Sequence, residues 1–358
     1  MPKPSLPLSQ PPDAVCLLRL SALGDVSHMV PIVRSIQTQW PHTRLAWCLG
    51  RLEYQLVGDL PGVEFYQFDK SKGWRALFEL RRRIGAQPFD VLIHAQVSMR
   101  ANLASLAIRA PVRLGYDHDR ARDLHGLFVN QRIPAASGQH VLDSFFSFAS
   151  TLGVTHRELR WDIPVPLEAR DAAARLPGDG PVLVISPCSS HPLRNWRADR
   201  YARVADYAAK QYGFRIVLCG GPSALERRMG DAISAAMMAS APIDLIGKDT
   251  IKQLLAVLER ASLLIAPDSG PMHLATATGT PVIGLHAASN PQRSGPYLSR
   301  QWCVDRYDAA ARQFLGRPAA DLKWGTKIER PGVMDLVTVD DVIERLDAFM
   351  AAGVTTQA

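Results

Sequence analysis

No Gly-x-Gly-x-x-Gly follows the first apolar run of this 358-residue chain, and neither a Walker A loop nor a Gly-x-Ser-x-Gly elbow occurs in it. A dinucleotide redox site, a P-loop nucleotidase and a serine-hydrolase nucleophile therefore lack sequence support. Cysteine is scarce: five residues, an odd number, with no metal-like spacing. Four of them lie in or beside apolar runs, so reduced, packed thiols and no metal site are expected. No apolar run approaches the length that spans a bilayer. The opening Met-Pro-Lys-Pro-Ser-Leu-Pro has no signal-peptide core, and residues 1–13 read as a flexible tail. Zinc spacing, RNP-type aromatic motifs and long basic runs are missing too, which leaves nucleic-acid binding without support.

What is present suits a soluble two-domain enzyme. The apolar fraction of 47% is ordinary for a globular chain, and the length allows two domains. The net charge of +7, carried mostly by arginine, favours acidic partners such as anionic lipid headgroups or phosphorylated sugars.

Apolar strands alternate with amphipathic helices twice over. In the first half, strands are expected at 15–20, 44–49, 63–68 and 90–94, and helices at 26–39, 74–84, 99–109 and 141–152. Trp161 to Pro166 has the stiff character of a linker. The pattern then restarts, with strands at 181–185, 214–219, 263–266 and 281–285. Helices are expected at 199–212, 226–238, 252–260, from Pro271 to Gly279, and at 339–351. Little periodicity marks 290–332. Buried strands alternating with helices predict two doubly wound α/β domains, 14–165 and 166–335, whose ligands sit beyond the carboxyl ends of the strands. Residues 336–358 are expected to form a C-terminal helix that packs back on the N-terminal domain.

Three strand-to-helix turns carry candidate chemistry. Asp268-Ser269-Gly270-Pro271-Met272-His273 follows a buried strand and opens a helix, whose free amides and positive end suit a phosphate. Asp268 and Ser269 fit a helix cap equally well. Asp25, after the first strand, is either a helix cap or a general base that deprotonates an attacking hydroxyl. Ser189, Ser190 and Arg194 follow the strand ending at Ile185 and could complete a phosphate clamp, or form an ordinary polar loop over Trp196. Glu226, beyond Gly220-Gly221, is placed to accept from ribose hydroxyls.

Taken in order, Arg19-Leu-Ser-Ala-Leu-Gly-Asp-Val-Ser-His28, Asp90 to Gln96, Ser189 to Trp196 and Asp268 to Ala275 resemble the ADP-heptose:lipopolysaccharide heptosyltransferases. These are inverting glycosyltransferases of the GT-B fold, two Rossmann-like domains facing across a cleft. Ala95-Gln96, Arg122 and Gly138-Gln139-His140 make the heptosyltransferase I branch, which acts on Kdo-lipid A, the nearer likeness. The resemblance implies Asp25 as catalytic base and Arg19, Ser21, Arg100, Arg122 and His140 facing the acceptor. Ser189, Ser190, Arg194, Glu226, Asp268, Ser269, Gly270 and His273 would hold ADP-heptose. It also implies no required cofactor, and a cytoplasmic protein held peripherally on the inner membrane. Family members usually carry lysine at the place of Arg194 and threonine at Ser189, Ser190 and Ser269. The stretch from Trp302 to Arg330 has no evident counterpart. Rival expectations are a GT-B transferase with another nucleotide sugar or acceptor, a sugar-nucleotide epimerase, and a non-catalytic module for anionic glycans.

Overall fold

The computed structural model describes residues 5–85 and 88–353, in two compact units, Met1–Pro164 and Val165–Ala358. The first contains β1 (Ala14–Leu18), α1 (Leu23–Gln39), β2 (Arg44–Gly50), α2 (Arg51–Val57), β3 (Val63–Phe68), α3 (Trp74–Ile84), β4 (Val91–His94), α4 (Met99–Ser105), β5 (Val112–Gly115), β6 (Gln131–Arg132) and α5 (Val141–Leu152). The second contains α6 (Leu167–Ala174), β7 (Val182–Ile185), α7 (Ala198–Tyr212), β8 (Arg215–Leu218), α8 (Ala224–Ala236), β9 (Ile243–Asp244), α9 (Ile251–Arg260), β10 (Leu263–Pro267), α10 (Gly270–Thr278), β11 (Val282–His286), α11 (Pro291–Ser294), β12 (Val304–Asp305), α12 (Tyr307–Leu315) and α13 (Val339–Ala351).

Each unit forms a six-stranded parallel sheet, ordered β3-β2-β1-β4-β5-β6 in the first and β12-β11-β10-β7-β8-β9 in the second. Both are the doubly wound order, in which the chain leaves in opposite directions from two adjacent central strands. Those switch points fall between β1 and β4, and between β7 and β10. Strand burial explains the choice of parallel pairing: β1, β4, β7, β10 and β11 are buried along their whole length, as only a sheet covered on both faces allows. Ala14, Cys16 and Leu18 point to one face of the first sheet, where they pack with Leu80 and Ile84 of α3 and Ala101 and Ala104 of α4. All five cysteines are free and buried, and the sulfurs of Cys16 and Cys48 lie 3.8 Å apart on neighbouring strands.

The alternating strands and helices appear where periodicity placed them, with α4 ending at Ser105 rather than running to Arg109. The expected tail is anchored over the part that is described: Leu8 N donates to Leu152 O (3.1 Å), and Pro12 O accepts from Thr43 Oγ1 (2.6 Å). Residues 1–4 lie outside the described residues. The linker is tied down as well, because Asp162 pairs with the buried Arg34 of α1 at 2.7 Å. Residues 290–332, without periodicity in sequence, fold as short pieces whose side chains Tyr307, Leu322 and Ile328 enter the second unit's core.

Helix α13 packs on the core of its own unit. Its residues Val339, Val342, Leu346 and Phe349 recur at helical spacing and join the core of the second sheet. Asp347 accepts from the hydroxyls of Tyr207 and Tyr212 on α7 (3.0 and 2.8 Å), and Trp196 Nε1 donates to Val337 O just ahead of the helix (2.9 Å). Residues 354–358 of the expected terminal segment lie outside the described residues. Since Leu346 is fully buried, Leu346→Ala should destabilise the second unit by about 2–5 kcal/mol. Urea melting of the variant measures this, and a loss below about 0.5 kcal/mol, typical of a surface change, would detach α13 from the core.

Candidate active site

At the first switch point, side chains that follow β1 and β4 are knitted together. Leu20 N donates to Gln96 Oε1 (2.7 Å), and Gln96 Nε2 donates to Ser21 Oγ (3.4 Å). One arm of the Arg19 guanidinium donates to Ala95 O (2.5 Å), and the other pairs with the Asp25 carboxylate. The same guanidinium lies 5.3 Å from the centroid of the Phe145 ring on α5. Three restraints from three segments thus aim one cation at one acid.

Asp25 occupies the first turn of α1, but Ala22 is the cap and no side chain serves it. The capping explanation for Asp25 therefore fails. Its side chain is 29% exposed, so one flank faces the protein and the other is open to a ligand. Gly24 beside it is buried, and its carbonyl accepts from Ser27 Oγ (2.8 Å), which fixes the turn. Arg19, expected to face an acceptor, is largely buried and pairs with Asp25.

The remaining acceptor candidates divide. Arg100 is exposed on α4, beside a groove of about 250 Å³ that Phe68, Trp74, Leu77 and Leu103 also line. Arg122 is exposed on a loop tied to the start of α4, where Met99 N donates to Asp123 Oδ2 (3.1 Å) and Asn102 Nδ2 to Asp123 O (2.7 Å). Both arginines are thus carried by one connected corner. His140 is 1% exposed, its Nδ1 accepts from Leu142 N (3.1 Å) as the cap of α5, and its ring meets His28 edge-on. A second buried imidazole pair stands at the end of β4, where the His94 and His125 rings are 4.5 Å apart and burial depresses the His125 pKa to about 4.

At the second switch point, Asp268 follows β10 and Ser269 caps α10. Gly279, left-handed at φ 78°, ends that helix, as a residue without Cβ can at no steric cost. Ser269 Oγ is buried and bonds nothing among the described residues, so one hydroxyl stands ready beside the free amides of the helix start. Asp268 accepts from Ser294 Oγ (3.0 Å) and pairs with Lys327 (3.4 Å), while His273 Nε2 lies 3.8 Å from its other oxygen. Burial alone would raise the Asp268 pKa. The hydrogen bond from His273 and the charges of Lys327, His273 and His286 outweigh that effect and hold it well below the usual carboxylate range.

Around the end of β7, Arg194 donates to Ser190 Oγ (2.8 Å) and pairs with Glu329 (3.3 Å). Ser189 turns inward: its hydroxyl donates to His191 O (3.0 Å) and its amide donates to Asn195 Oδ1 (2.7 Å), which holds the loop's shape. Beyond β8, the Glu226 carboxylate accepts from Gly221 N (2.8 Å) and Ser223 Oγ (2.7 Å), bracing the Gly-Gly turn at the start of α8.

Sequence reading missed Lys327 and Glu329, and also a perturbed carboxyl, Asp249. The first two lie in the stretch without periodicity, where no local pattern could mark them. Asp249 sits in the loop after β9, where burial, reinforced by the neighbouring Glu226, raises its pKa to about 6. A carboxyl raised in the folded state binds its proton more tightly there than in the unfolded chain. Its protonation therefore stabilises the fold below the unfolded pKa of about 3.9, and the benefit fades as pH rises to about 6. Asp249→Asn should accordingly match the parent near pH 4 and become relatively more stable up to about pH 6, then level off. Denaturant midpoints across that range test this, and parallel profiles for the two proteins would refute it.

The model of glycosyltransferase family 9 (heptosyltransferase) matches residues 77–318. The chain is 35% identical over 339 residues to the lipopolysaccharide core heptosyltransferase OpsX of Haemophilus influenzae, covering 94% of this chain and 97% of that protein. Among solved structures, a glycosyl transferase family 9 protein of Veillonella parvula superposes with a TM-score of 0.77 at 23% identity, covering 95% of this chain and 97% of that one. The Escherichia coli heptosyltransferase WaaC with ADP gives a TM-score of 0.71 at 19% identity, covering 94% and 99%. These likenesses show the GT-B fold, and the sequence match carries the rest: the chain belongs to glycosyltransferase family 9, the heptosyltransferases.

Proposed function

We propose that this chain transfers heptose from ADP-heptose to the Kdo-lipid A inner core of lipopolysaccharide, with inversion at the anomeric carbon. The observation that carries the reading is the pairing of chemistries at the two switch points. One holds a carboxylate aimed by a cation; the other holds a helix start with a free hydroxyl, a histidine and an arginine, suited to a diphosphate. Solved structures of relatives contain ADP and ADP-2-deoxy-2-fluoro heptose, which supports ADP-heptose as the donor here.

In this mechanism the diphosphate lies on the amides at the start of α10, with Arg194 and His273 as further donors. Arginine at position 194 offers a fork of N–H groups where the family's usual lysine offers a point charge. Asp268, held ionised, accepts from sugar hydroxyls, and Glu226 from the ribose. Negative charge grows on the departing ADP, and fixed dipoles and cations stabilise it without reorganising. Asp25, aimed by Arg19, removes the proton of the acceptor hydroxyl as that oxygen attacks from the face opposite the leaving group. Arg100 and Arg122 pair with acidic groups of the acceptor, and Ser21 helps to shape the turn beside Asp25. The reaction is proposed to need no resident cofactor, since protein groups supply each charge it requires.

The lipid acceptor places the protein on the cytoplasmic face of the inner membrane, held peripherally. No helix among the described residues is long and apolar enough to cross a membrane, and the charge of +7 suits an anionic surface.

Purified protein should transfer heptose from ADP-heptose to Kdo-lipid A, with UDP- and CMP-sugars as controls. Preference for another donor would move it to a different specificity within the fold, and donor turnover without acceptor would point to an epimerase. Asp25→Ala should lower kcat by about 10²–10⁴-fold with little change in KM for the donor. Near-normal turnover would remove Asp25 from the mechanism. Arg194→Ala should weaken ADP binding by roughly 10- to 100-fold in calorimetry, the size of a charged hydrogen bond. Unchanged affinity would refute the clamp.

A further inference from the structure

Helix α3 carries apolar residues on two opposite sides. At 3.6 residues per turn, Ala76, Leu80 and Ile84 share one side and are buried in the core of the first unit. Trp74 and Phe78, four residues apart, share the other and are 69% and 74% exposed. Arg81 and Arg82 continue that outer stripe one turn on, and Arg75 borders it. None of the three arginines makes an ion pair among the described residues. The acid of this helix, Glu79, is drawn aside to Lys72 (2.8 Å). Trp74 also forms a wall of the 250 Å³ groove with Phe68, Leu77 and Leu103, and Lys70 and Arg100 stand at its rim.

An amphipathic helix usually turns charge outward and apolar groups inward. Here the outward side combines two large aromatic rings with unpaired arginines, a composition that water alone does not favour. It matches the boundary of a bilayer, where indole and phenyl rings settle at headgroup depth and arginines meet lipid phosphates. Charge decides between occupants: three cations whose neighbouring acid, Glu79, is already paired with Lys72 complement an anionic surface and repel a second copy of themselves.

We propose that the outer face of α3 is the surface by which the protein docks on an anionic membrane. Trp74 and Phe78 enter the interfacial layer, and Arg75, Arg81 and Arg82 pair with headgroup phosphates. The inference rests on the reading of a lipid-borne acceptor and says which part of the molecule meets the lipid.

The test uses vesicles of phosphatidylethanolamine with phosphatidylglycerol against phosphatidylcholine alone, neither containing acceptor. The full chain should sediment with the anionic vesicles, and added salt should release it. Arg81→Ala with Arg82→Ala should weaken that binding by about 25-fold, at roughly fivefold for each charge near an anionic surface. Trp74→Ala with Phe78→Ala should weaken it by at least about tenfold, from the lost apolar burial. Both double variants should keep the parent's affinity for ADP in calorimetry, which shows that they fold. Parent protein that stays in the supernatant, or aromatic variants that sediment like the parent, would overturn the proposal. So would a dimer in light scattering that the Phe78→Ala change abolishes, since the face would then belong to a second copy. Vesicle binding without heptose transfer supports docking while refuting the enzymatic reading. Transfer to soluble acceptor without vesicle binding refutes docking alone.

Discussion

A buried carboxylate remains charged only where cations and donors stand close enough to replace its lost water, and Asp268 imposes that condition on the whole second unit. Its partners come from three places: His273 from the helix it precedes, Ser294 from α11, and Lys327 from a segment far along the chain. That segment has no periodicity of its own, yet it must return to the end of β10. Ile328 N donates to Ala288 O at 2.8 Å, and the Tyr307 hydroxyl donates to Thr326 O at 2.8 Å, so hydrogen bonds to the backbone of its two neighbours hold Lys327 on both sides. Glu329 then reaches Arg194 and His191. One electrostatic requirement thus ties an irregular stretch to the end of β10.

The first unit meets the same problem with the charges reversed. Arg19 is the more deeply set partner, and it is held by Ala95 O, the Phe145 ring and Asp25 together, while its buried Nε bonds nothing among the described residues. Because the sheet order repeats in both units, each places an acid just beyond the central strand nearest its switch point. The topology is shared, and the difference in function comes from what surrounds each acid. Asp25 keeps an open flank, whereas Asp268 is enclosed and fixed as an ion.

The fold was legible because its signals are local and repeated. Runs such as Val182–Ile185 and Leu263–Pro267 are apolar throughout, which marks strands covered on both faces. The two-residue strands β6, β9 and β12 escaped notice, since two residues have no period, and so did the short β5, α2 and α6. Asp25, Asp268 and Ser269 were legible for a different reason: each lies in the turn or first helical turn after a buried run, and a parallel sheet gathers such ends on one side. Distance along the chain hid the rest. Nothing near Lys327 or Glu329 reveals a partner dozens of residues away. Arg19 and His140 were marked by the motifs that contain them, but only packing shows that one aims an acid and the other caps a helix.

The five buried thiols have a practical corollary. Burial pushes Cys188 and Cys303 up to about 12 and Cys16 and Cys219 well above the ordinary thiol value, so these sulfurs carry almost no thiolate at neutral pH. An alkylating reagent then reads conformational opening rather than surface chemistry. Because Cys16 and Cys48 lie in one unit and Cys188, Cys219 and Cys303 in the other, peptide mapping of the alkylated positions reports the breathing of each unit separately, with no engineered label.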